Sequence, residues 1–450
     1  MTTGDPVVES QIGHWRGYVE RHAAISTADV DEMEDHLRNQ ISDLSTVGLN
    51  ADEAFLVAVK RMGDVDSISR EFAREHSERL WKQLVLLPVD GDGRTARSHR
   101  ELFVVIGLAV GSAVVTKIGS TVMGGGYGFA RYAALFVLPF LVAYFCWKRR
   151  VSGRVIAALG AAFTAAAVVL SVYPFEVGGV TEVIATIHIP IALWFAVGVA
   201  YTGGQWRNGR RRMDFIRFTG EWVVYLTLLG LGGGVLTALT VGAFEALGSD
   251  IEPVVEDWLV ACAAPTGVLV AAWLVEAKQS VVENIAPVLT RVFTPLTTLM
   301  LVALLGAFAV SGSVVDVDRT LLILMDVILV LVLGLLLYAI SARDPQLRPD
   351  FFDRLQLLLV LSALAVDALM LVAMLTRIAE FGSSANKVTA LGLNLVLLVN
   401  LTWSAYLLGG FLRGRREFTA MERWQTGYLP VFGLWAALVV VAIPPMFGFV

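Results

Sequence analysis

From residue 102 onward the chain repeats one pattern, an apolar block of about 20 residues followed by a short polar connection. A block of that length crosses the hydrocarbon core of a bilayer as a helix, which satisfies its own backbone hydrogen bonds where no water is available. The blocks fall at 102–122, 128–147, 154–173, 181–202, 220–244, 255–276, 290–311, 319–340, 355–376, 388–409 and 427–449, about eleven spans in all. Composition agrees: 56% of the chain is hydrophobic and 17% charged, with a mean hydropathy of +0.67. Soluble domains carry about a quarter charged residues. The expected fold is therefore an all-α polytopic membrane body, preceded by a polar N-terminal domain that holds many of the charges.

Orientation follows from the bias of Lys and Arg towards cytoplasmic loops. The first 30 residues have no apolar core of the kind a cleaved signal peptide needs, so the N-terminus is expected inside. The cytoplasmic connections are then "WKRRVSGR", "WRNGRRRMDFIR", "EAKQ" through Arg291, "ARDPQLRPDFFDR" and "LRGRREFTAMER", which together hold 18 Lys and Arg. The external connections hold only Arg131, Arg319, Arg377 and Lys387, beside acidic runs such as "GSDIEPVVED" and "VVDVD". This gives an N-in, C-out topology, provided that "GYLPVFGLWAALVVVAIPPMFGFV" is the last span.

Residues 1–84 read as a small cytoplasmic helical domain, 85–100 as a Pro/Gly-containing linker and 101–450 as the membrane domain. In "STADVDEMEDHLRNQISDLSTVGL" a Ser/Thr cap precedes one face of Val30, Met33, Leu37, Ile41 and Leu44, with Gly48 as a stop. In "NADEAFLVAVKRMG" Asn50 and Glu53 have capping-box spacing and Gly63 closes the helix. A last helix is expected from Asp66. The runs "EDHLRNQISDL", "GLNADEAFLVAVKRMGD" and "EFAREH" resemble the helical permease-prefix domain that opens many bacterial polytopic proteins, especially in actinobacteria. The body, including "YLPVFGLWAALVVVAIPP", resembles an uncharacterised multi-span family that often follows such a domain. The resemblance implies a bacterial inner-membrane protein with a regulatory or docking role for residues 1–84, and implies no substrate. Lys60 and Arg61 are the residues through which the domain would touch a cytoplasmic protein partner, unless they are only a solvated face.

Ionisable residues inside a bilayer cost about 2.5–3.5 kcal/mol each on insertion scales and are functional candidates by default. Asp367 interrupts "LSALAVDALMLVAML" roughly 14 Å below the outer end of its span, and Asp326 lies roughly 11 Å below the same surface on the preceding antiparallel span. Asn394, His188 and Lys117 fall at similar depth on three other spans. Two carboxylates in low dielectric share a proton, because both cannot be charged together. With Asn394, His188 or Lys117 nearby, the set can hold a cation, carry a proton or bind a charged group near the midplane. The structural alternatives are a snorkelling Lys117, an interhelical hydrogen bond at His188 or Asn394, and a purely structural carboxylate pair. Pro139, Pro190, Pro265 and Pro295 and the run "LGLGGG" at 229–234 fall within or near spans; tight helix packing is the expectation for the glycines.

No phosphate-binding G-x-x-x-x-G-K-[ST] loop, H-E-x-x-H zinc pattern or G-x-S-x-G elbow occurs, so no enzyme, cofactor or metal site is expected. Two cysteines, Cys146 and Cys262, lie on different spans and imply no disulfide framework. Basic loops are explained by topology and give no support for nucleic-acid binding. The leading expectation is a permease-like secondary transporter, proton-coupled through Asp326 and Asp367; the alternative is a non-transporting sensor or scaffold that signals through residues 1–84. A lipid-facing or sealed position for both carboxylates would exclude the first.

Overall fold

The computed structural model describes residues 6–19, 27–46, 49, 51–62, 94–124, 126–277, 285–311 and 319–450. Among the described residues every regular element is helical. The chain divides into two compact units, Met1–Ser98 and His99–Val450.

The first unit contains α1 (Pro6–Val19), α2 (Thr27–Thr46) and α3 (Ala51–Met62). Apolar residues recur at four and three positions on α1 (Val8, Ile12, Trp15) and on α2 (Leu37, Ile41, Leu44), and these stripes meet Ala54 and Ala58 of α3 in one buried core. Small residues on α3 let its backbone lie close. Arg38 ties the helices at the rim, 2.8 Å from Glu34 and 3.0 Å from Glu9. Helix α1 has no counterpart among the helices singled out in the sequence. The side chains of Val30, Met33, Lys60 and Arg61, the positions Gly48, Asn50 and Gly63, and the helix expected from Asp66 all lie outside the described residues.

The membrane body begins with α4 (Arg94–Val122), followed by the short α5 (Gly126–Ala130), α6 (Ala133–Arg149), α7 (Gly153–Val172), α8 (Val180–Tyr201) and α9 (Gly209–Ala246). Next, α10 (Glu252–Val254) runs through a π turn, Val255–Val260, into α11 (Ala261–Ala277). The rest is α12 (Ile285–Ser311), α13 (Arg319–Ala342), α14 (Phe351–Phe381), α15 (Ala385–Leu412) and α16 (Thr419–Met446). Among the described residues 11 helical stretches are long and apolar enough to cross a membrane, and the protein is an all-α polytopic membrane protein.

Several helices outrun their apolar blocks. Helix α9 starts at Gly209 rather than near 220, because the Asn208 side chain accepts from the backbone N–H groups of Arg210 and Arg211 and caps it. Most of the basic run "RNGRRRMDFIR" is thus helix rather than loop. Helix α14 starts at Phe351 behind a capping box in which Asp350 and Asp353 each accept the other's backbone N–H at 2.9 Å. Residues 94–100, expected as linker, are helical. The expected second span, 128–147, is matched by a candidate span at Gly128–Arg149, with a turn at Arg131 and Tyr132 near its start.

The helices pack into two main cores. One joins α12, α13, α14 and α15 through Leu301, Met325, Leu329, Val360, Val366 and Leu401. The other joins α6, α8 and α9 through Leu141, Phe145, Val197, Phe215 and Phe218. Helix α16 packs closely on α8 and on α15. Gly111 of α4 fits against Phe140 of α6, where a Cβ would come within 2.9 Å of the ring. The run at 229–234 is different: nothing lies within 4 Å of a Cβ at Gly230, Gly232, Gly233 or Gly234. The expectation of tight packing there is corrected, since α9 beyond Glu221 has no buried residue and needs no partner to satisfy its backbone.

Candidate functional site

Three of the five intramembrane candidates come together. Asp367 on α14 is fully buried, 0% exposed, between buried Val366 and Met370, and neither carboxylate oxygen has a hydrogen-bond partner among the described residues. Asp326 on α13 is near enough to act on it electrostatically. The amide of Asn394 on α15, also fully buried, stands within side-chain hydrogen-bonding reach of Asp326 and lies 3.9 Å from the Met374 sulfur. The Asn394 Oδ1 and Asp326 Oδ1 atoms are likewise without partners. Asp326 is only partly buried, on the border between the packed side of α13 (Leu322, Leu329, Leu333) and its exposed side (Ile323, Val327, Val330). Asp367 is therefore sealed in this arrangement, contrary to the accessible position a transport site needs, and Asp326 borders the exposed apolar side of its helix.

His188 and Lys117 stand apart from this cluster, so the five-residue layer does not assemble. The His188 Nδ1 atom is 2.8 Å from the Ile184 carbonyl one turn earlier on its own helix. Lys117 donates to the backbone carbonyl of Asp257 in the π turn and sits 4.7 Å over the Trp258 ring. Depth along a span fixes height in the membrane but not which helices are neighbours.

The buried ions at the membrane face that carries the basic loops were not anticipated. Glu276, near the end of α11, has a side chain only 2% exposed. It accepts two bonds from Arg149 at 2.8 and 3.0 Å and faces Lys148 at 3.0 Å. Lys148 also donates to Glu101 at 2.7 Å, and the Tyr144 hydroxyl donates to the same carboxylate at 2.7 Å. One network thus links α4, α6 and α11. Beside it opens a cavity of about 280 Å³ lined in part by Arg149, Arg211, Arg217, Asp214 and Glu221. Positive-inside bias accounted for these basic residues in the sequence, and nothing local marked Glu276 as their partner.

On the opposite face, buried Glu182 pairs with Arg131 at 3.1 Å and accepts the Gly178 backbone N–H at 2.8 Å. Lys387 there donates to the carbonyls of Gly382 at 2.8 Å and Arg377 at 3.2 Å. Two of the basic residues that run against the loop bias are thereby held by local partners. Among the described residues no group of His, Cys, Asp and Glu side chains forms a metal site, and Cys146 and Cys262 are free thiols.

No protein-family model, curated protein or solved structure matches the chain. Function has to be read from this geometry.

Proposed function

We propose that the protein is a permease-like secondary transporter of a bacterial cytoplasmic membrane, with its basic loops in the cytoplasm and with transport coupled to protons through Asp326 and Asp367. The observation that carries the reading is the Asp367 carboxylate, enclosed by apolar side chains with both oxygens unpartnered. A charged carboxylate in such a place costs far more than the neutral acid, which is itself left without a hydrogen-bond partner. A membrane protein that retains an acid here gains nothing for its folding, because Asp367 fastens no helix to another. The acid acquires a use if a second arrangement of α13 and α14 opens it to water, where it releases the proton it holds when closed. Asp326, the less buried of the two, is the group through which that proton passes, and Asn394 holds Asp326 in place.

The orientation rests on the loop charges, and the bacterial setting on the permease-prefix resemblance of residues 1–84. That domain supplies the docking surface for a cytoplasmic protein partner. The test is solute-dependent proton entry into proteoliposomes, read by an entrapped pH dye with a panel of candidate solutes. Asp367→Asn and Asp326→Asn should each abolish coupled entry, while Asp250→Asn, at an exposed loop position of the body, should not mimic them. Full coupling in Asp367→Asn would take Asp367 off the proton path, and no solute-dependent proton entry with the parent protein would sink the transporter reading and favour a sensor.

A further inference from the structure

We infer that the cavity on the basic face of the membrane body is a binding site for a small solute bearing one carboxylate or phosphate group, held by the guanidinium groups of Arg149, Arg211 and Arg217. This does not rest on the proton-coupled reading, since it concerns different helices and is read by binding rather than flux. The cavity, about 280 Å³, is near the lower end of the usual range for ligand pockets. Its floor is built before any ligand arrives. Tyr201 stacks on Phe218 at 4.6 Å, and Arg149 lies 5.1 Å over the Tyr201 ring while its two bonds to buried Glu276 fix the guanidinium. A cation held that way loses little freedom when an anion binds.

The other two guanidinium groups come from one helix. Arg211, exposed at the mouth, and Arg217, half-buried, both belong to the first turns of α9. Arg217 donates to the Ser341 backbone carbonyl at the end of α13. A guanidinium carries five N–H donors, so a bond to one carbonyl does not exhaust it. Its planar fork matches the two oxygens of a carboxylate or phosphate. Asp214 and Glu221 also line the cavity. Their charges restrict the site to a small, singly charged group and disfavour polyphosphates, because each further negative charge on the ligand meets two carboxylates in the wall.

The experiment uses the full chain in phosphatidylcholine nanodiscs at fixed ionic strength, titrated calorimetrically with inorganic phosphate and with acetate, and repeated in nanodiscs containing phosphatidic acid. Saturable binding of phosphate or acetate in phosphatidylcholine is the expected result and identifies a free solute. Binding lost only when phosphatidic acid is present keeps the site and identifies a lipid headgroup as its occupant. Arg217→Gln and Arg211→Gln should each weaken binding at least tenfold. Arg211 is exposed, so that variant keeps the test meaningful if Arg217→Gln fails to fold. Arg210→Gln, at an exposed neighbour outside the cavity, should leave affinity unchanged. No saturable binding of either anion and no effect of phosphatidic acid would overturn the inference, as would an equal loss in Arg210→Gln.

Discussion

Asn400 on α15 and Gln425 on α16 exchange hydrogen bonds between their side-chain amides: Asn400 Nδ2 donates to Gln425 Oε1 at 3.0 Å, and Gln425 Nε2 donates back to Asn400 Oδ1 at 3.3 Å. Both residues are fully buried, and Gln425 Nε2 also donates to the Ser404 hydroxyl at 2.7 Å. Asp367 is as deeply buried on the neighbouring helix and has no such bond. The contrast separates a polar residue that joins two helices from one that joins none, and it is the reason for reading Asp367 as functional.

The amide pair makes its own prediction. Gln425→Leu leaves the Asn400 amide without that partner and should destabilise the protein by about 1–3 kcal/mol, the usual penalty for a stranded buried group. Asn400→Leu should do likewise, and the double variant should lose less than the sum of the two. The coupling, about 0.6–1.7 kcal/mol by comparison with other membrane helices, is measured by a double-mutant cycle of unfolding in mixed micelles. Strictly additive losses would mean that the two amides do not act as a pair.

Glu276 offers a sharper case, because one carboxylate serves two cations. Glu276→Gln keeps the shape and removes the charge, leaving Lys148 and Arg149 facing each other's field. Breaking a fully buried pair costs about 3–5 kcal/mol, and the loss here should fall near the lower end, since the two cations are partly exposed. Glu101→Gln touches the same Lys148 from a carboxylate that is 24% exposed, and should cost less than about 1 kcal/mol. Unfolding in detergent ranks the two, and equal losses would contradict the assigned burial.

How much of this was legible in the sequence depends on what each feature needed. The spans were legible because a lipid environment forces any apolar run of that length into a helix that satisfies itself. Their ends were not: α9 carries its helix back through Arg210, Arg211 and Arg212, where a hydropathy pattern sees only charge and the decisive signal is the single cap Asn208. Asp326, Asp367 and Asn394 lie on three consecutive helices, two of them joined by a short turn, so common depth sufficed to bring them together. His188 and Lys117 lie on helices distant in sequence, and each found a backbone carbonyl instead. The bond from Arg149 to Glu276 joins residues 127 apart in the chain, a pairing that no local pattern encodes.

Arg343 organises the turn between α13 and α14, the helices that carry Asp326 and Asp367. Its guanidinium makes two bonds of 2.8 Å to the Asp353 carboxylate, donates to the carbonyls of Asp344, Leu347 and Arg348, and lies 4.8 Å over Phe411 and 4.5 Å over Phe418. Lysine keeps the charge but not the planar fork. Arg343→Lys should therefore cost about 1.5–3 kcal/mol, the value of a hydrogen bond to a charged group, and should expose residues 344–349 to limited proteolysis. Stability within 0.5 kcal/mol of the parent, roughly the spread of neutral surface changes, would show that charge alone holds the turn.

Glycines in the membrane body divide by what surrounds them, and the division can be tested with one methyl group. A Cβ on Gly392 of α15 would lie 1.9 Å from the Trp435 ring of α16, and one on Gly433 would lie 2.7 Å from the Phe195 ring of α8. Both rings are rigid and sit between helices, so Gly392→Ala and Gly433→Ala should each lose about 1–3 kcal/mol through overpacking. At Gly234 of α9 nothing lies within 4 Å. Alanine there adds no contact and restricts the unfolded chain, so Gly234→Ala should be neutral or stabilising by up to about 1 kcal/mol. Unfolding of the three variants side by side is the measurement. A loss at Gly234 as large as at Gly392 would mean that α9 is closely packed there after all.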